Sequence, residues 1–308
     1  MEPLKCGTVF DIDDRNIIKE MKKILILLLA ALLLGTGAAD ARKKKSRKQR
    51  RKARVERVQR VQQRTPLLSS PSQSVASNSL LYVAVPKDMS NEVLTNDAMT
   101  VYFNPKHHIP NCVIYELTET EVTISDSPGA EKRKNYDYDK NPATRNSPEK
   151  WDYRGSGYDR GHMAPAMDMK WSSEAMRQCF YMTNMCPQDH DLNGGAWRLL
   201  EEKIHHWGKR DKRLIIATGP IMGKSMKTTG KSCAVAIPEA FYKVVYAPTQ
   251  GRAIGFIYPN EPVSGSFKKR AVTVDEVERL TGLDFFPSLP DNIENALERH
   301  ADPDHWSH

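Results

Sequence analysis

Long apolar runs are nearly absent from this 308-residue chain. The longest, residues 24–34, covers 11 positions, whereas a membrane-spanning helix needs roughly 20. That length excludes a typical transmembrane anchor. Cysteine is sparse and poorly spaced for metal: Cys6, Cys112, Cys179, Cys186 and Cys233 contain no Cys-x-x-Cys pair, which argues against a structural zinc site. No internal repeat is present, so solenoids and propellers are excluded. The main body also lacks the positive excess that its formal charge of +8 suggests. Residues 42–64 hold 13 Lys and Arg against the single acid Glu56, and residues 1–41 hold 5 basic and 6 acidic side chains. Residues 65–308 are left with a net charge of −3. A body so close to neutrality is not by itself a strong attractor of polyanions.

What is present begins with an export pattern. Met21-Lys22-Lys23, the apolar residues 24–34 and the Ala39-x-Ala41 step read as a secretory signal over residues 21–41. Residues 1–20, polar and partly acidic, are expected to be a leader or a misassigned start. Export places the protein in a secreted or periplasmic compartment. It also leaves four cysteines (Cys6 precedes the signal), enough for two disulfides whose pairing the sequence does not choose. Residues 42–64 form a basic low-complexity tail that cannot bury enough surface to fold alone. Such a tail grips a phosphate backbone or an anionic surface, or is simply solvated. Residues 65–78 read as a linker, 79–300 as the folded domain and 301–308 as a C-terminal tail carrying His305 and His308.

The domain has the mixed pattern of an α/β (α+β) fold, a central antiparallel or mixed sheet with flanking helices. Short strands are expected at residues 100–103, 112–117, 180–183, 214–219, 233–237, 241–246 and 253–258. Helices are expected at 172–179, at 196–207, and at 273–281, where Thr273 and Glu276 form a capping pattern and Gly282 stops the helix.

Between Tyr158 and Glu201 the chain concentrates groups with chemistry. Neutral His162 can accept a proton near neutral pH. Arg160 offers a planar fork of donors suited to phosphate. Asp159 is placed to orient the loop or a neighbouring ring. Asn193 supplies a hard carbonyl oxygen, better matched to magnesium than to zinc. Glu201 follows eight residues later, a rise of about 12 Å along a helix axis, so it fits an outer-shell role reached through water. A base, a phosphate clamp and a hard-metal ligand are the components of metal-assisted phosphodiester hydrolysis. Singly, each residue also has a structural reading: a histidine after glycine is often structural, and an asparagine before Gly194-Gly195 is often a turn or cap.

Together, Asp159-Arg160-Gly161-His162-Met163-Ala164-Pro165, Thr183-Asn184-Met185-x-Pro187-Gln188 and Leu192-Asn193-x-Gly195-Ala196-Trp197 with Glu201 resemble the DNA/RNA non-specific endonucleases, the ββα-metal (His-Me finger) nucleases. The resemblance extends over residues 80–298. It includes Trp171-Ser172-Ser173-Glu174, Thr218-Gly219-Pro220-Ile221 and Ile237-Pro238-Glu239-Ala240-Phe241-Tyr242-Lys243. It implies a magnesium-dependent enzyme, with manganese as the alternative ion, that hydrolyses DNA and RNA without sequence preference and leaves 5′-phosphate ends. In it His162 activates water, Asn193 is the direct metal ligand, Glu201 holds metal-bound water, and a metal-bound water protonates the leaving 3′ oxygen. Arg160 stabilises the phosphate and Asn184 supports the site. Arg133 matches a second family arginine, with Lys132 and Lys134 as neighbouring alternatives. Gly194 stands where relatives often carry Gln. A homodimer is one assembly open to the chain. Two rival readings are a phosphodiesterase or pyrophosphatase acting on small nucleotides, and an exported protein that binds nucleic acid through its basic tail without catalysis.

Overall fold

The computed structural model describes residues 79–307, all within the unit Ser70–His308. The leader, signal, basic tail and linker expected at residues 1–78, together with Cys6 and His308, lie outside the described residues. Among those described, no helix is long and apolar enough to cross a membrane.

In chain order, β1 (Val83–Ala84), β2 (Glu92–Thr95), β3 (Thr100–Asn104) and β4 (Ile109–Thr118) precede helix α1 (Glu119–Ser125). After a long loop come β5 (Asp159–His162), α2 (Ser173–Cys179) and β6 (Met185–Gln188). The short α3 (His190–Leu192) and a π-turn (Asn193–Trp197) lead into α4 (Arg198–Arg210). Next are β7 (Arg213–Ile221), β8 (Lys227–Thr229), β9 (Val235–Ile237), β10 (Ala240–Ala247) and β11 (Arg252–Pro259). β12 (Ala271–Val272), α5 (Val274–Thr281), β13 (Asp284–Phe285) and α6 (Asp291–Glu298) complete the order.

Local chemistry sets several of these boundaries. Thr118 and Glu121 close a reciprocal capping box on α1. Ser172 accepts from Glu174 and Ala175 N–H at the start of α2. Thr273 accepts from Glu276 N–H at the start of α5, and Gly282, at φ 73°, ends it in the left-handed conformation open to glycine.

Seven strands form one antiparallel sheet in the order β12-β11-β10-β7-β4-β3-β2. Both faces are covered, which is why its strands read as continuous apolar runs. Alternation along each strand divides the core in two. Val113, Tyr115, Leu214, Ile216, Phe241 and Val245 join one cluster with Met163, Met185, Trp197 and Leu200. Cys112, Ile114, Ile215, Ala217, Tyr242 and Val244 join the other with Val277, Phe285, Phe286 and Leu297. The first face carries β5, β6 and α4, and the second carries α5 and α6.

Several expectations change. Residues 180–183 are not a strand: Phe180 caps α2, and a 3-10 turn, Met182–Asn184, precedes β6. The helix expected from residue 196 begins at Arg198, after the π-turn. Cys112, Cys179, Cys186 and Cys233 are all free; Cys112 lies on the opposite face of the sheet from Cys179 and Cys186. The closing residues do not form a loose tail. Trp306, 1% exposed, packs 4.9 Å from the Trp207 ring, under the Arg252 guanidinium at 4.6 Å.

Behind the second face, Asp275, Glu278 and Glu298 bring carboxylate oxygens within 4.8 Å of one another. Burial and mutual repulsion push the Glu278 carboxyl up to about 7 and that of Glu298 to about 8. These groups hold protons more tightly folded than unfolded. They therefore stabilise the fold below the ordinary glutamate value of about 4.3, and lose that contribution as pH rises through about 7 to 8. Glu298→Gln should raise the melting temperature at about pH 8.5 by on the order of 2–4 °C and leave it unchanged near about pH 5. A calorimetric scan across pH that showed the same shift at both ends would refute the electrostatic origin.

Candidate active site

The ribbon β5–β6 presents the central motif. Asp159 pairs with Gln188, Arg160 with Pro187, Gly161 with Cys186 and His162 with Met185. Gly161 is required by contact: a Cβ there would sit 2.6 Å from Gln188 Cβ. Asn184, fully buried, ties down the segment after His162. Its Nδ2 donates to Ala164 O at 3.0 Å and to Cys179 O at 2.8 Å, and its Oδ1 accepts from Ala164 N at 2.9 Å.

Alternation on β5 turns Arg160 and His162 toward a common neighbour, Tyr138. The Tyr138 ring lies 5.7 Å from that of His162 and 5.0 Å from the Arg160 guanidinium. Phe180 meets His162 edge-on at 4.8 Å. Nε2 of His162 is enclosed and has no hydrogen-bond partner among the described residues. Burial, reinforced by the Arg133 cation, pushes the imidazole pKa down to about 3, so the ring is neutral and Nε2 or Nδ1 is a free acceptor.

Arg160 is braced by the turn Lys150–Tyr153: Nε and Nη2 donate to Lys150 O at 2.9 and 2.6 Å, leaving Nη1 uncommitted. Asp152 anchors that turn by accepting from Lys231 N and Ser232 N at 2.9 and 2.7 Å. Arg133 lies on an exposed 3-10 turn, with Nη2 3.3 Å from the Tyr138 hydroxyl and its guanidinium 5.6 Å from the Phe180 ring centre. Of the three neighbouring cations, it is Arg133 whose side chain reaches the aromatic cluster around His162.

Asp159 faces the other way and accepts from Asn193 Nδ2 at 2.9 Å, with His190 Nδ1 at 3.0 Å from the same oxygen. This commits the amide nitrogen and leaves Asn193 Oδ1 as its free acceptor. Asp189 caps α3 by accepting from Asp191 N and Leu192 N. The chain then kinks at Gly195 within the π-turn, and π-turns inside helices are frequent at functional positions. Asn193 thus sits at the head of this irregular turn and Glu201 on the first turn of α4.

Glu201 is largely enclosed. Burial pushes its carboxyl up to about 7 against the opposing pull of Lys243. Lys243 Nζ lies 3.4 Å from Glu201 Oε1. Next to this pair, Asp168 accepts from the Tyr115 hydroxyl at 2.8 Å and contacts His205 Nδ1 at 2.7 Å. Burial disfavours the His205 cation, but Asp168 and Asp126 outweigh it and raise its pKa.

The structure therefore connects Asp159, Arg160, His162, Asn184 and Asn193 through the ribbon, and Arg133 through Tyr138. Glu201 joins by way of Lys243, which also donates to Met163 O at 3.1 Å. Sequence reasoning assigned no role to Tyr138, Phe180 or Lys243. Tyr138 lies in an aperiodic loop that gives no signal. Lys243 does give one, as a lone cation between Phe241 and Val245 on a core-facing register. Two basic stretches, residues 209–213 and 268–270, are partly paired. Arg210 meets Asp211, Lys212 meets Glu119, Arg213 meets Glu116 and Lys268 meets Asp304.

Asn184→Ala would strand three buried backbone partners. It should cost about 3 kcal/mol and lower the melting temperature by roughly 6–12 °C. A thermal melt that moved by less than the error would mean that the clamp is not needed.

The sequence profile of the DNA/RNA non-specific endonuclease family matches residues 76–292. A nuclease from Nostoc sp. is 32% identical over 263 residues, 78% of this chain and 92% of the relative. Nuclease 1, mitochondrial, of Schizosaccharomyces pombe is 38% identical over 158 residues, 45% of this chain and 49% of the relative. Human mitochondrial endonuclease G is 34% identical over 152 residues, 45% and 51% of the two chains. The chain thus spans about half the length of these two mitochondrial relatives. Among solved structures, the EndoG/EndoGI complex superposes with a TM-score of 0.60 at 26% identity, covering 65% of this chain and 87% of that one.

Proposed function

The chain belongs to the DNA/RNA non-specific endonuclease family, and from that premise we propose that it is an exported, magnesium-dependent endonuclease that hydrolyses DNA and RNA without sequence preference. The observation that carries this reading is the pairing of a neutral, unpartnered His162 with an asparagine whose amide is held nitrogen-first by Asp159.

The residues fit a hard divalent cation. Asn193 Oδ1 is free to ligate, and Glu201, whose Oε1 faces Lys243 Nζ at 3.4 Å, adds a carboxylate to the site. When bound, magnesium neutralises phosphoryl charge and acidifies water in its shell. Asn193 would be the direct ligand and Glu201 would hold metal-bound water, with manganese as the alternative metal.

The protein's own groups carry the remainder. His162 takes a proton from the attacking water as the water oxygen bonds to phosphorus. Burial weakens this base, but a substrate phosphate brings negative charge beside the ring and raises its proton affinity. Arg160, through its uncommitted Nη1, and Arg133 meet the charge on the phosphoryl oxygens. The bond to the 3′ oxygen breaks, leaving a 5′-phosphate and, after protonation from water, a 3′-hydroxyl. Tyr138 keeps the Arg160 plane and the His162 ring in register. Contacts of this kind touch phosphate rather than base edges, which gives no sequence readout. Export to a secreted or periplasmic space, and a role for residues 42–64 in gathering polyanions, belong to the same proposal, as does a homodimeric assembly.

The test is cleavage of supercoiled plasmid and of RNA by the protein from Arg42 onward, with magnesium, with chelator, and as His162→Ala. Both polymers should be cut, with activity lost in chelator and reduced by roughly a hundredfold or more in the variant. Equal activity in His162→Ala would remove this residue from its role. Activity on small nucleotides alone would select a phosphodiesterase, and salt-sensitive binding without cleavage would select a binding protein.

Asp159→Leu frees the Asn193 amide to rotate. Magnesium affinity measured by calorimetry should fall by about 10- to 100-fold; unchanged affinity would show that Asp159 does not orient the ligand.

A further inference from the structure

Strand β10 carries an anomaly. Its register puts Phe241, Lys243 and Val245 on the face that packs against Met163, Trp197 and Leu200, while Tyr242, Val244 and Tyr246 face the opposite cluster. Lys243 is 0% exposed. An ammonium buried this deeply is costly, and replacing a buried ion pair by apolar side chains is often neutral or stabilising. The fold has no evident need of it at this position.

Its contacts suggest a different need. Nζ lies 3.4 Å from Glu201 Oε1, donates to Met163 O at 3.1 Å and to Thr218 Oγ1 at 3.4 Å, and stands 4.6 Å over the Trp197 ring. Two donors of the ammonium are thus taken by Met163 O and Thr218 Oγ1, and the Glu201 carboxylate stands beside it as an ion pair. Met163 is the residue after His162, Glu201 lies on the first turn of α4, and Trp197 ends the π-turn that begins at Asn193. Thr218, on β7, pairs with Lys243 across the sheet and donates its hydroxyl to Tyr242 O. A single cation rooted in the central sheet therefore touches three elements of the site.

We propose that Lys243 is a positioning residue for phosphodiester cleavage. It holds the Glu201 carboxylate and the peptide that follows His162 in one fixed relation, so that base and carboxylate act on the same phosphate. This rests on the roles given above to His162 and Glu201. The ribbon β5–β6 is too short to fix its own distance from α4, and Lys243 touches both the residue that follows β5 and the first turn of α4. Asp168, which lies near both Lys243 and Glu201, is engaged by Tyr115 and His205, so it does not replace Glu201 as the lysine's partner.

The experiment compares the full chain with Lys243→Met, Glu201→Gln and the double variant. It measures kcat and KM on RNA at saturating magnesium, and melting temperature without metal. Lys243→Met should fold and melt cooperatively, with kcat reduced by about 10- to 100-fold and KM changed by less than about twofold. The double variant should be no less active than Glu201→Gln alone, because both changes break one coupled unit. It should also melt above either single variant, since neither buried charge is left without its partner. If Lys243→Met proves unable to fold, Lys243→Gln keeps donors for Met163 O and carries the same expectations. Wild-type kcat in a folded Lys243 variant, or losses that multiply in the double, would overturn the proposal. Full activity in Glu201→Gln would instead overturn the role of Glu201 on which it rests.

Discussion

A two-stranded ribbon of four-residue strands is marginal in water by itself, yet β5–β6 has to hold His162 and Arg160 in place. That constraint organises the site. The ribbon is not hydrogen-bonded into the large sheet, so its position has to come from side chains. Asn184 supplies three buried hydrogen bonds on one flank, and Gly161 lets Gln188 pack directly against the backbone. Asn260 closes the far end, accepting from Asp189 N at 2.7 Å and donating to Pro187 O at 3.1 Å. The Asn184 and Asn260 clamps use side-chain amides whose partners are backbone atoms, which is specific because an unmet backbone group in the interior is expensive.

The same logic explains why charge is buried here in an otherwise apolar layer. Between the sheet and α4 lie Lys243, Glu201, Asp168 and His205, each with an opposite charge beside it. Low dielectric makes such groups sensitive to one another. Removing one leaves the next stranded, whereas the set as a whole is balanced. Groups that would be a liability in a purely structural core fit the hydrolytic site proposed above.

The candidate site residues are legible in the sequence because they are local: Asp159 to His162 and Asn193 to Glu201 lie on short elements whose spacing survives folding. The apolar strands are legible too, since a sheet covered on both faces leaves an apolar run. What escaped detection is non-local or aperiodic. Tyr138 reaches His162 from a loop without periodicity. The π-turn at Asn193–Trp197 displaces the start of α4 beyond the point where hydrophobic spacing begins the helix. Trp306 reads as part of a polar terminus because its partners, Trp207 and Arg252, are far away in sequence.

Charge adds a last step. Several of the domain's surface cations, among them Arg210, Lys212, Arg213 and Lys268, are paired with neighbouring carboxylates, and residues 65–308 are net negative. Long-range attraction of a polyanion therefore cannot come from the body as a whole. Near the site the balance differs: Arg133 and Arg160 are held against aromatic rings instead of acids, which fixes their planes without cancelling their charge. An arginine stacked in this way remains available to a phosphate at close range. Under the proposed function capture and chemistry are separable, with short-range recognition built into the domain and any long-range attraction left to the 13 cations of residues 42–64.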